Sequence, residues 1–390
     1  MPLAFASLAT FALSLVLTPM VRAGAEWAGF VAAPRGDRWH ARPTALLGGI
    51  AIQLAFLGGY LVFQPALEQT FPLVAIATFV FAIGLLDDVM PMTPLAKLSA
   101  QLLAAGAAVA AGFRLPWTPS VVVNDGLTIV WLVGITNAMN LLDNMDGLAA
   151  GIAAIACGFL ALTFVVNGQT EVALMPALLG GAVLGFLCFN RSPATIFMGD
   201  CGALFLGALL GCISLLSEYG RTRNLTAVLL TPVLILLIPI LDTTLVTVTR
   251  KLAGRPVSMG GRDHASHRLV ALGLSEQRAV GTLHLLAVLS GCVALGVRWL
   301  ASDSLLLVLL LVPALGIALL LFGLSLGRTD GRTAKRQGPV LVYESGGRSV
   351  LLLRDEAGDA DGNYAPLGFL EDDGPETRRI HGVRTLGRDE

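Results

Sequence analysis

Charge is scarce in this chain of 390 residues, and lysine is scarcer still: Lys97 is the one lysine between Met1 and Arg250. Charged residues make up 14% and hydrophobic residues 55%, with a mean hydropathy of +0.75. That balance excludes an ordinary soluble domain and leaves a polytopic membrane protein. A formal net charge of −1 argues against a nucleic-acid partner. Neither a P-loop nor a zinc motif occurs. The five cysteines, Cys157, Cys188, Cys201, Cys212 and Cys292, show no paired metal-ligand spacing and sit in or beside apolar runs, so they read as small core residues. No Lys or Arg precedes the first apolar run, which argues against a cleaved signal despite the small residues Ala23-Gly24-Ala25.

What is abundant is apolar sequence in runs long enough to cross roughly 30 Å of hydrocarbon. Such runs fall near 2–21, 44–63, 71–86, 95–113, 122–140, 148–167, 172–189, 201–217, 225–248, 279–299 and 304–326. The expectation is an all-α membrane domain of about eleven spans over residues 1–327. Arg22 follows the first run, which puts the N-terminus outside. Alternate connections differ in basic content: one set holds Arg35, Arg38, Arg42, Arg191, Arg250, Lys251, Arg255, Arg262, Arg268 and Arg278 with Arg22, the other Arg114, Arg221, Arg223 and Arg298. The richer set is assigned to the cytoplasm.

Five polar stretches interrupt the apolar background on that same side: 85–97, 136–148, 189–200, 239–242 and 260–269. Ionisable groups near bilayer depth cost several kcal/mol each unless they face water, a partner or a metal, so their clustering points to a site. Asp87 and Asp88 end one span, where the helix dipole disfavours acids. A solvated turn before Pro91 and Pro94 is the bland alternative. Lys97 opens the next span, as an interface anchor or as the ammonium of a phosphate site. Asn137, Asn140, Asp143 and Asp146 recur every third residue, a helical face of hard oxygen ligands suited to Mg²⁺ or of polar groups bonding between helices. Asp200 begins a helix after Met198-Gly199, as an N-cap or a metal ligand. Asp242 has no assigned role. Arg262, Asp263, His264, His267 and Arg268 gather in one loop; two histidines alone are weak grounds for zinc, and an Arg/His cluster suits a pyrophosphate.

In this order the acidic pair followed by lysine, NAMNLLDNMDGLAAG, FMGD and RDHASHRL resemble the polyprenyl-phosphate N-acetylhexosamine-1-phosphate transferases over roughly residues 40–330. The resemblance implies transfer of a sugar phosphate from a UDP-sugar to a polyprenyl phosphate, with release of UMP. It implies Mg²⁺, with Mn²⁺ as a substitute, on Asn140 and Asp200. Asp88 would activate or orient the lipid phosphate, and Asp87, Asp143 and Asp146 would complete the acidic shell. Lys97, Asn137, Asn190, Arg262, Asp263, His264 and His267 would contact substrate. Two departures stand out: Ser266 replaces the third residue of the family's His-x-His-His loop, and Asp-Asn-Met-Asp-Gly replaces its Asp-Gly-Ile-Asp-Gly. The implied setting is a bacterial plasma membrane with the site facing the cytoplasm. Membrane lipid is a further partner, and a homodimer is possible.

A transporter of a phosphorylated or lipid-linked metabolite is the alternative from another class. It would be expected to show repeated halves and charges near the bilayer midplane; here the acids cluster at one face and no internal repeat is apparent. After Gly327 the chain turns polar. Residues 328–338 read as a linker, and 339–390 resemble a truncated Rossmann-like βαβ segment, cytoplasmic, with strands at 339–343 and 367–373.

Overall fold

The computed structural model describes residues 2–32, 43–64, 70–115, 118–216, 225–256, 261 and 263–296, together with four short C-terminal strands; for 225–229 and those strands it describes backbone only. The chain divides into two units, residues 1–323 and 324–390.

The first unit is helical. Its helices are α1 (Pro2–Trp27), α2 (Gly49–Phe63), α3 (Thr70–Val89), α4 (Pro94–Ala110), α5 (Val121–Leu142), α6 (Leu148–Val166), α7 (Leu174–Asn190), α8 (Gly199–Ile213), α9 (Leu225–Ile235), α10 (Leu237–Leu252), α11 (Ala265–Ala271) and α12 (Glu276–Gly296). Five of these, α1, α3, α5, α6 and α12, are long and apolar enough to cross a membrane. Four more apolar helices, α2, α4, α7 and α8, are shorter. Large apolar side chains such as Phe5, Leu61, Phe71, Leu95, Val122 and Val130 point outward, which water would penalise and lipid does not. The protein is membrane-integral.

Helix α8 is the centre of this unit, with every residue from Cys201 to Ile213 buried. Helices α2, α3 and α5 reach it closely because small residues line the contacts. A Cβ on Gly84 of α3 would lie 2.6 Å from the Asp200 carbonyl oxygen, and one on Gly207 of α8 would lie 2.6 Å from Thr136 Cα of α5. The three helices that carry Asp88, Asn140 and Asp200 are thereby held backbone to backbone.

Two departures from the expected spans have local causes. The run 225–248 is two helices broken at Leu236 (φ −100, ψ 23), with Pro239 in the first turn of α10, where its missing N–H is tolerated. The run from 44 starts as a strand: β1 (Val31–Ala32) pairs antiparallel with β2 (Thr44–Ala45), and α2 begins only at Gly49. This short segment also zips onto the chain before α8. Phe197 donates its N–H to the Ala45 carbonyl at 2.8 Å, and Gly48 and Gly49 donate to the carbonyls of Phe197 and Met198 at 2.9 and 2.8 Å. The expected span at 304–326 lies outside the described residues.

In the second unit β3 (Val340–Glu344) pairs parallel with β4 (Pro366–Glu371), and β5 (Arg379–Ile380) pairs antiparallel with β6 (Val383–Arg384). The expected linker and the residues between β3 and β4 lie outside the described residues.

Candidate active site

The acidic pair at the end of α3 does not act as a pair. Neighbours on a helix point about 100° apart, and the two carboxylates serve different helices. Asp87 Oδ1 accepts the Met92 N–H at 2.6 Å, while its Oδ2 lies 2.6 Å from Lys97 Nζ of α4. Asp88 accepts the N–H groups of Asp200 and Cys201 at 2.8 and 2.9 Å. Its carboxyl thus caps the positive N-terminal end of α8. Asp200 is therefore not the N-cap that its position suggested; it stands in the first turn of α8 and is itself capped from α3. Gly199 makes this possible: its φ is +74, and a Cβ there would lie 2.6 Å from Asp88 Oδ2.

Asp200 gathers three helices. Its Oδ2 pairs with Lys97 of α4, and its Oδ1 accepts from Asn140 Nδ2 of α5 at 3.0 Å. Of the expected i, i+3 face, only Asn140 reaches this cluster. Asn137, expected at the substrate, forms a reciprocal amide pair with Gln101 of α4, at 2.6 and 3.3 Å, and donates to its own helix at Val133 O. Gln101, a buried amide in an apolar helix, was the signal available in the sequence for that clasp. Asp143 lies beyond the end of α5 as its C-cap, so the helical face stops before it. Burial, and then the charges of Asp200, Asp88 and Asp146, push the Asp143 carboxyl up to about 7.

Asp146 accepts the Ala194 N–H at 2.9 Å and so anchors the segment leading to α8. Asn190, expected at the substrate, braces backbone on two sides. Its Oδ1 accepts from Gly147 N–H at 3.1 Å and its Nδ2 donates to Ile196 O at 3.0 Å, with the residue buried. Gly147 precedes α6 in the left-handed region, at φ 73, which glycine adopts without steric cost.

The histidine loop is organised from α10. Buried Asp242 receives the Ala265 N–H at 2.7 Å on Oδ1, and its Oδ2 lies 2.7 Å from His264 Nδ1. Its role, left open by the sequence, is to cap α11 and fix the His264 ring. The His264 and His267 rings meet edge to face at 5.8 Å. Asp263, expected at the substrate, pairs its carboxylate with Arg250 Nε of α10 at 2.9 Å, and its carbonyl accepts from Arg268 Nε at 2.8 Å. Ser266 Oγ donates to Asn144 Oδ1 at 2.7 Å. Arg262 lies outside the described residues. The cysteines are all free; Cys157, Cys201 and Cys212 are buried as expected, whereas Cys188 and Cys292 are exposed.

Among the described residues no three His, Cys, Asp or Glu side chains converge as a metal site. The donor chemistry nevertheless fits a hard divalent cation. Asp87 and Asp200 offer carboxylate oxygens and Asn140 an amide, with Lys97 as the ammonium among them. Asn140 can present its oxygen beside Asp200 by turning its amide over.

Comparison with known proteins agrees with this geometry. The model of glycosyl transferase family 4 matches residues 70–218, the stretch from α3 past α8. The chain is 33% identical over 282 residues to a probable undecaprenyl-phosphate N-acetylglucosaminyl 1-phosphate transferase of Bacillus subtilis, covering 70% of this chain and 78% of that protein. It is 33% identical over 321 residues to a decaprenyl-phosphate N-acetylglucosaminephosphotransferase of Mycobacterium tuberculosis H37Rv, covering 73% and 79%. It is 34% identical over 263 residues to a phospho-N-acetylmuramoyl-pentapeptide-transferase of Geobacillus kaustophilus, covering 61% and 79%. With the acidic cluster of α3, α4, α5 and α8 inside the matched stretch and relatives aligned along most of their length, this chain belongs to glycosyl transferase family 4.

Proposed function

We propose that this protein transfers N-acetylhexosamine 1-phosphate from a UDP-sugar to undecaprenyl phosphate or a similar polyprenyl phosphate, releasing UMP and starting a lipid-linked glycan. The observation that carries the reading is the meeting of Lys97, Asn140 and Asp200 from three helices. One ammonium set beside oxygen groups able to take a divalent cation suits two phosphates that otherwise repel.

In the reaction an oxygen of the lipid phosphate forms a bond to the sugar-bearing phosphorus, and the bond from that phosphorus to the UMP oxygen breaks. Asp200 and Asn140 would hold Mg²⁺, or Mn²⁺ in its place, and the bound cation would disperse the charge of the diphosphate. Asp88 keeps Asp200, the residue that would ligate the cation, in place by capping α8. Lys97, already paired with Asp87 and Asp200, turns its remaining N–H capacity toward phosphate. His264 and His267, with Arg262 and Arg268 of the same loop, take the diphosphate. Holding two anions in line is the main work of such a site.

The apolar runs support about eleven spans, the bacterial relatives support a plasma membrane location, and the distribution of basic residues supports a site facing the cytoplasm. The parallel pairing of β3 with β4 supports reading 339–390 as a truncated Rossmann-like segment, since parallel neighbours need a crossover. The test is UMP release from a panel of UDP-sugars by membranes carrying the protein, with polyprenyl phosphate and with or without Mg²⁺. Cation-dependent release with a UDP-N-acetylhexosamine is expected; no release with any sugar overturns the reading.

A further inference from the structure

The acidic turn and the histidine helix are tied by a side-chain hydrogen bond between residues 122 positions apart in the chain. Ser266 Oγ, 1% exposed, donates to Asn144 Oδ1 at 2.7 Å. Asn144 is anchored in turn, since its Nδ2 donates to the Leu141 carbonyl at 2.9 Å, in the last turn of α5. Each partner is the chain neighbour of a candidate site residue: Asn144 follows Asp143, and Ser266 precedes His267. The far side is equally fixed, because Asp242 caps α11 one residue before Ser266.

We propose that Asn144 and Ser266 are positioning residues, a matched pair that sets the spacing between the turn bearing Asp143 and Asp146 and the helix bearing His267, and through it the affinity for the nucleotide sugar. This rests on the transferase reading above. A side-chain bond joining two otherwise separate loops is a coupling, and coupling is measured by whether two substitutions add. The full-length protein in nanodiscs is assayed with UDP-N-acetylglucosamine and undecaprenyl phosphate as Asn144→Ala, Ser266→Ala, the double variant and Ser266→Thr. Each single alanine is expected to raise KM for the UDP-sugar roughly fivefold with kcat within about twofold. The double variant is expected to be no worse than the poorer single, and threonine, which keeps the hydroxyl, to stay near the parent. Effects that multiply in the double variant, or an unchanged KM, overturn the pairing. If the parent turns over no UDP-sugar, the transferase reading fails and the pair is judged by amide hydrogen exchange. Ser266→Ala is then expected to speed exchange over residues 143–148 and Asn144→Ala over 265–271; exchange unchanged across the bond overturns it.

Discussion

Asp88 of α3 accepts the backbone N–H of Asp200 in α8 at 2.8 Å, so one carboxylate fixes the helix end that carries another. The relationship explains why adjacent acids are placed at the C-terminal end of a helix, where the dipole disfavours them. The unfavourable end of α3 is matched to the favourable end of α8. Removing this cap should therefore damage stability and activity together. Asp88→Ala leaves two N–H groups of α8 without their acceptor and is expected to cost about 1–2 kcal/mol of stability. It should lower the melting temperature in detergent and reduce UMP release.

Asp200→Asn separates the cation site from the fold. The amide is nearly isosteric, so membrane insertion and melting should change little. Cation-dependent UMP release is expected to fall by roughly a hundredfold or more, a barrier increase of about 2.7 kcal/mol or more. A variant retaining parental turnover removes Asp200 from the metal assignment.

Asn190 should behave oppositely to a substrate ligand. Asn190→Ala strands the Gly147 N–H and the Ile196 carbonyl, at about 1–3 kcal/mol for each buried group left unpaired. The expected result is a lower melting temperature with KM for the UDP-sugar unchanged in the protein that remains folded.

Asp242→Asn tests how His264 is held. The asparagine can still accept the Ala265 N–H but no longer presents a carboxylate to His264 Nδ1. A fall in kcat of roughly tenfold, about 1.4 kcal/mol, is expected, with α11 retained in hydrogen exchange.

Asp143 gives the protein a pH signature. Its carboxyl is held near 7 against an ordinary 3.8, so between those values the folded state binds more proton than the unfolded one. The stability it contributes is full below about 4 and is lost as pH rises through about 7. In the absence of divalent cation, the melting temperature of Asp143→Asn should fall less across this window than that of the parent.

The sequence alone determined the class and the helices, because both follow from local composition and period. Runs of apolar residues placed α1 through α8 and α12 within a few residues, apart from the strand before α2, and the five polar stretches carry Lys97, Asn140 and Asp200, which meet in the fold. Tertiary structure alone decided which polar groups face each other. Asn137 and Asn190 have the same chemistry as Asn140, yet one meets Gln101 across a helix contact and the other meets two backbone groups. Spacing along a chain cannot specify such partners, since a neighbouring helix brings them from tens of residues away. The break at Leu236, the short α11 and the capping of α8 by Asp88 also depend on contacts between elements, whose energies no single segment contains.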